Sequence, residues 1–158
     1  MSLENIMNIA GMAMDAQTVR LNLSVSNIAN AETLASSAED AYKAKRPVFK
    51  TVLENEVNES IGRVSGGVYV AEVAEDTTPV PSHYDPSSPM ADENGYVHNS
   101  NVDVMQEMVD ITAASRSFES AVEASNTAKR LMTRTIECYR SNDYELYSNR
   151  WNQNGRGP

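Results

Sequence analysis

Residues 102–139, VDVMQEMVDITAASRSFESAVEASNTAKRLMTRTIECY, contain neither proline nor glycine. Within them Val104, Ile111, Phe118, Ser125, Met132 and Tyr139 recur every seven residues, and Ala114, Ala121, Ala128 and Thr135 partner them on adjoining positions. A sustained repeat of seven makes a narrow seam along a helix, one that stays aligned with a partner when the helices supercoil gently. The spacing predicts a single helix from about Val102 to at least Tyr139. Asn101 or Ser100 stands where a cap is needed, and Asp103 puts an acid in the first turn, where the helix dipole favours it. Roughly forty residues at ~1.5 Å each span about 60 Å, more than a small globular domain requires. Such a length suits lateral packing in an assembly.

The opposite end of the chain carries the same period. Met7, Met14, Leu21 and Ile28 recur every seven residues, with Leu3 and Ala10 on the adjoining positions. They predict a helix from Leu3 to about Ala31, with Ser2 as its cap, although Asn5 stands where the acid of a capping box would help. Gly11 costs about 1 kcal/mol relative to alanine without forbidding the helix. Only Glu4, Asp15 and Arg20 carry charge in this segment, so few surface ion pairs support it. Such a helix is marginal alone and gains its stability from packing. Residues far apart in sequence are thus built to lie side by side.

Between the helices the pattern changes. Residues 32–40 are small and polar and read as a flexible connector. Strand character returns around Pro47-Val48-Phe49, where the proline confines the strand to an edge or to a strand start. Residues 52–65 are acidic and ambiguous, with Val57 and Ile61 at helical spacing. A clearer strand follows at residues 67–73, with Val68, Val70 and Val73 expected to face inward. Residues 77–90 are rich in proline and read as an extended, turning loop, and Asn94-Gly95 is a strong turn signal before Tyr96-Val97. The expected organisation is an assembly helix in residues 1–35, a β-rich outer domain in 41–98, a second assembly helix in 101–140 and a polar tail in 141–158. In that tail Tyr144, Tyr147 and Trp151 fall at helical spacing.

Composition excludes several classes of function. The formal charge of −9 argues against a general nucleic-acid binder, which shows a basic patch or stripe. Lys43, Lys45, Arg46 and Lys50 are the nearest candidate; they lack interleaved aromatics and read as a solvated strand edge. No stretch approaches the ~18 apolar residues of a spanning helix, so no membrane insertion is expected. The N-terminus lacks the features of a cleavable secretory signal. Cys138 is the single cysteine, which rules out an intramolecular disulfide and leaves a small hydrophobe on a helix or, as the rarer alternative, a disulfide between chains.

Chemistry is hard to find. His83 and His98 are the only histidines. His98 has Asp92, Glu93 and Asp103 nearby in sequence, but the spacing matches no zinc pattern, and both histidines read as surface loop residues. Ser82-His83 beside Asp85 has the residue types of a hydrolase triad without the rigid scaffold that assembles one. There is no glycine loop to cradle a phosphate. No catalytic, cofactor-binding or metal-binding residue is expected, and no cofactor. Arg116 stands in a stretch with few other charges, either exposed and weakly paired or fixing the helix's register against a neighbouring subunit.

Three stretches together resemble the axial proteins of the bacterial flagellum, the family of rod and hook subunits. The first is residues 21–33, Leu-Asn-Leu-Ser-Val-Ser-Asn-Ile-Ala-Asn-Ala-Glu-Thr. The second is residues 84–97, Tyr-Asp-Pro-Ser-Ser-Pro-Met-Ala-Asp-Glu-Asn-Gly-Tyr-Val, followed by Asn101-Val-Asp103. The third is Glu107-Met-Val109 with Ala114-Ser-Arg-Ser-Phe118 and Asn126. The resemblance covers the chain to about Tyr139. The short length and residues 42–49 look most like the proximal-rod branch, the hook and distal-rod proteins being considerably longer. Two departures stand out: Ser100 where proline is expected, and a tail that runs past the usual end.

The resemblance implies an α+β fold in which two long terminal helices pair as an antiparallel coiled coil, with a small β-rich middle domain facing outward. It implies a non-enzymatic subunit of the basal-body rod, a hollow drive shaft spanning the periplasm. Its partners would be copies of itself, other rod subunits and the flagellar type III export apparatus, which would carry it without a cleaved signal peptide. Met7, Met14, Leu21, Asn22, Asn27, Ile28, Asn30, Ile111, Arg116, Phe118 and Met132 would then form the subunit interface. The alternative is a soluble coiled-coil adaptor presenting its β-rich domain to a protein partner.

Overall fold

A computed structural model describes residues 3–52 and 66–154, with side chains described as far as residue 140. The Ser2 cap and the helical spacing of Val57 and Ile61 lie outside the described residues, as do the side chains of Tyr144, Tyr147 and Trp151. The described chain is α+β: α1 (Leu3–Ala29), β1 (Leu34–Ala35), β2 (Lys45–Thr51), β3 (Val68–Glu75), β4 (Ser82–Tyr84), β5 (Tyr96–Asn99) and α2 (Val104–Asn154).

The two helices lie along one another because their facing stripes are small. Ala114, Ala121 and Ala128 are buried on α2, and Ala10 and Ala16 on α1. Methyl side chains let the backbones approach closely, while Ile111, Phe118 and Ser125 lie half-buried beside them. Arg20 of α1 meets Asp110 of α2, and Leu3 and Ile6 line one concavity with Ala128 and Leu131. Past Ala128 the inward stripe stops. Met132, Thr135 and Tyr139, expected to continue the seam, are exposed.

α2 starts later than its first candidate caps. Asp103 Oδ1 accepts the N–H groups of Met105 at 2.9 Å and Gln106 at 3.3 Å, which makes Asp103 the cap, in place of Asn101 or Ser100. Ser100 is buried, and its hydroxyl accepts the Val102 N–H at 3.1 Å.

The β elements form two separate sheets. One has the order β1-β5-β4, and the other is the antiparallel hairpin β2–β3. Residues expected as a flexible connector and as a loop therefore contribute strands: Leu34 pairs with Asn99, and Ser82 with His98. Both strands are short and take their order from β5, so neither left a periodic signal. In the hairpin the register shifts between Val48 and Phe49, leaving Ala71 without an opposite number. Val73, expected inside, is exposed. Asn94-Gly95 does turn the chain: Gly95 has φ +83°, and Asp92 Oδ1 accepts the N–H groups of Asn94 and Tyr96, each at 2.8 Å. Val97 of β5 is wholly buried.

Candidate assembly surface and the junction behind it

The β elements are fastened to the helices at the start of β2, by two asparagines working from opposite sides. Asn27, near the end of α1, donates from Nδ2 to the Lys45 carbonyl at 3.0 Å, and its Oδ1 accepts the Lys45 N–H at 2.9 Å. The same oxygen accepts the Tyr42 hydroxyl at 3.0 Å. Asn101, just ahead of α2, accepts the Ala44 N–H at 2.7 Å and donates to the carbonyls of Thr78 at 2.9 Å and Asp76 at 3.3 Å. An amide can present a donor and an acceptor to an extended backbone at once, as a neighbouring strand would. Ala44 between them is almost fully buried, and a larger side chain would push the two anchors apart.

Arg46 follows, and it does not behave as a solvated edge charge. Its Nη1 donates to Asp110 Oδ2 at 3.2 Å and lies 3.3 Å from Glu107 Oε1, while Nε is 3.6 Å from Asp76 Oδ2. Arg20 supplies a second guanidinium to Asp110. Hydrogen bonds from the Thr78 hydroxyl and N–H hold the Asp76 carboxyl below the usual carboxylate value, and Arg46 adds to that effect. Lys45 and Lys50 do stay outside, Lys45 with its ammonium 5.8 Å from the Tyr42 ring centroid, while Lys43 is half-buried. Sequence reading missed this ionic junction. Glu107 and Asp110 sit one helical turn apart on α2, a spacing that also suits an ordinary solvated face, and only the fold brings Arg46 to them.

The expected interface residues fall into three groups. Met7, Met14, Leu21, Ile28, Ile111 and Phe118 are half-buried, on the helices that pack together. Asn22, Arg116 and Met132 are exposed. Asn27 and Asn30 turn inward: Asn27 is buried in the junction, and Asn30 donates to the Ser26 carbonyl at 2.7 Å, closing its own helix end. Beyond these, α2 exposes Met105, Met108 and Val109 near its start and Leu131, Ile136 and Tyr139 farther along. Sequence reading passed over those at the start because they lie off the seven-residue seam.

The histidines sit on strands and not in loops, His83 on exposed β4 and His98 half-buried on β5. Asp85, drawn above beside Ser82 and His83, accepts the hydroxyl of Ser87 at 2.6 Å and its N–H at 3.1 Å. Those bonds hold its carboxyl below the usual range. Among the described residues no three His, Cys, Asp or Glu side chains are grouped to hold a metal ion. None of the described helices is long and apolar enough to cross a membrane. Cys138 is exposed on α2, not packed as a small hydrophobe.

Two helices lie paired, α2 carries exposed apolar side chains and a small β unit is fastened to them; similarity over most of its length places the chain in the family of bacterial flagellar basal-body rod proteins. The family described as "Flagellar basal body rod FlgEFG protein C-terminal" matches residues 93–137. Over most of its length the chain is similar to the rod proteins designated FlgC. It is 43% identical to that of Salmonella typhimurium over 136 residues, covering 86% of this chain and 97% of the relative. For Escherichia coli O6:H1 the identity is 44% over the same span, and for a Buchnera aphidicola relative 41% over 138 residues.

Proposed function

We propose that this chain polymerises, with copies of itself and with other rod subunits, into the proximal part of the flagellar rod. There it transmits torque and encloses the passage for export substrates, with no catalysis of its own. Family membership supplies the rod; the observation that carries the mode of assembly is the exposed apolar flank of α2. Met105, Met108, Val109, Leu131, Ile136 and Tyr139 are each about half exposed or more, and exposed apolar side chains in such number suit a surface that another protein covers. In this reading α1 and α2 form an antiparallel coiled coil, and the half-buried Met7, Met14, Leu21, Ile28, Ile111 and Phe118 complete their burial against neighbouring subunits. Asn22, Arg116 and Met132 meet neighbours directly. An open, non-closing interface of this kind produces a filament.

Residues 1–35 and 101–140 act as the assembly region, residues 41–98 face outward, and residues 141–158 extend the chain past it. The subunit reaches the periplasm through the flagellar type III export apparatus without a cleaved signal. Family membership displaces the adaptor reading.

The test uses Met132→Asp and Tyr139→Asp in cells lacking the native copy. Both side chains are exposed, so the subunit should accumulate normally while rods and swimming are lost. Normal swimming with both substitutions would sink the proposed interface.

A further inference from the structure

The charges on the open side of α2 reverse their order about one point. Counting outward from the Asn126–Thr127 bond, Glu123 stands as far out as Arg130, Glu119 as Arg134 and Arg116 as Glu137. Each acid is thus mirrored by a base. Residues of an α-helix turn by about 100° each, which places all six within about 30° of one line along α2. The buried Ala114, Ala121 and Ala128 lie on the opposite side, where α1 packs. All six charged residues are exposed. Among the described residues none of them makes an ion pair, and Arg130 donates to the Thr127 hydroxyl at 3.2 Å. Glu119 with Glu123, and Arg130 with Arg134, are like charges one turn apart, which repel within a lone subunit.

A stripe of this kind complements itself when reversed. We propose that α2 pairs antiparallel with α2 of a second copy, about a two-fold axis at the Asn126–Thr127 bond. Arg116 then meets the partner's Glu137, Glu119 the partner's Arg134 and Glu123 the partner's Arg130, and each contact is made twice, as a closed isologous interface requires. Parallel helices in register would set like charges side by side. Staggered until Glu119 and Glu123 reach Arg130 and Arg134, they would match those pairs once only. α1 packs on the far side of α2, so the stripe is open to a partner. α2 continues to Asn154, and the same register lays its turns beyond residue 140 along the partner's Met105, Met108 and Val109, which are exposed on the same side. Exposed ion pairs are individually weak and screened by salt, so the pair is reversible and loosens as ionic strength rises. It covers part of the flank that the rod reading gives to neighbouring subunits, so a paired subunit is held back from polymerising. That consequence rests on the rod reading; the pairing itself rests on the stripe.

Sedimentation equilibrium of the purified full chain tests it. In low salt the chain should show a monomer–dimer equilibrium. Glu123→Arg and Arg130→Glu should each weaken the dimer by about tenfold or more, since each turns attractions into repulsions. Combined in one chain they restore the match, and the dissociation constant should return to within about threefold of the parent. Helix content should stay unchanged, because the positions are exposed; Glu119→Lys with Arg134→Glu repeats the exchange one turn away if either chain loses helix. Orientation is read from disulfides in the Cys138→Ser background. Asn126→Cys, beside the axis, should oxidise to a dimer. Glu119→Cys should not, because its two copies lie about 22 Å apart along the helices, beyond a disulfide's reach. Met132→Asp, on the other side of α2, should leave the dimer intact, so failure of the pair and failure of the rod interface are read separately. A parent that stays monomeric overturns the pairing. So does a combined exchange as weak as the single reversals, or Asn126→Cys linking no better than Glu119→Cys. Open-ended polymer in place of a dimer would support the rod and remove the pair.

Discussion

Asn27 holds Lys45 by both of its backbone polar groups, so a side chain from α1 completes β2 on the edge opposite β3. Replacing Asn27 by alanine strands a part-buried donor and acceptor together. At about 1–3 kcal/mol for each unsatisfied group, the loss should be about 2–5 kcal/mol, read as a lower denaturant midpoint. Asn27→Asp should do nearly as badly, because the acceptor survives while the donor to the Lys45 carbonyl is lost.

Gly95 and Gly66 should respond differently to alanine, although both have positive φ. A Cβ on Gly95 would lie 2.8 Å from Tyr84 Cε2 and 3.2 Å from Pro86 Cβ, whereas one on Gly66 meets nothing within 4 Å. Gly66→Ala should cost about 1 kcal/mol, the price of the backbone conformation alone. Gly95→Ala should cost about 2–4 kcal/mol, because it also disturbs the edge-to-face contact of Tyr84 with Tyr96. Faster amide exchange confined to Tyr96, Val97 and His98 would mark the damage as local.

Widening the helix seam should separate folding from assembly. Ala114 is fully buried and Ala121 nearly so, so leucine at either position should destabilise the subunit by about 1–3 kcal/mol through overpacking. Met132→Asp, on the exposed stretch, should stay within about 0.5 kcal/mol of the parent. Thermal unfolding of the purified chains distinguishes the two outcomes.

Acid should loosen the junction. Asp76 has its carboxyl held below the ordinary value of 3.8. A group whose folded pKa lies below its unfolded one contributes stability that is present above the unfolded value and lost as pH falls through the folded one. Denaturant midpoints should therefore drop below about pH 4, and Asp76→Asn should flatten part of that slope. The remainder should persist, since Asp85 and Asp92 are lowered in the same direction by their own turn hydrogen bonds.

What the sequence made legible was whatever has a period or a local turn chemistry. The stripe Ala114, Ala121, Ala128 could be read seven by seven, and Asn94-Gly95 announced its turn. β1 and β4 could not be read, because Leu34–Ala35 and Ser82–Tyr84 are strands only by virtue of lying beside β5. The end of the seam at Ala128 was equally hidden: Met132 and Tyr139 keep the period, but the length of α1 decides whether a partner is there. Arg46 looked like one more cation in a basic run, and its meeting with Glu107 and Asp110 spans about sixty residues of chain. The resemblance located the family; it did not locate the junction.

α1 has 27 residues and α2 has 51, and this inequality has a mechanical meaning. Paired rods of equal length would stack with all their ends in one plane, and a twisting load would find that plane. In the proposed rod, with one arm much longer, the gap where one short arm stops would lie beside the unbroken shaft of another, as the joints in a brick wall are staggered from course to course. A cylinder laid this way has no level at which end contacts alone resist shear. Copies stacked in this way would also give it a direction, because the overhang would point one way along every course.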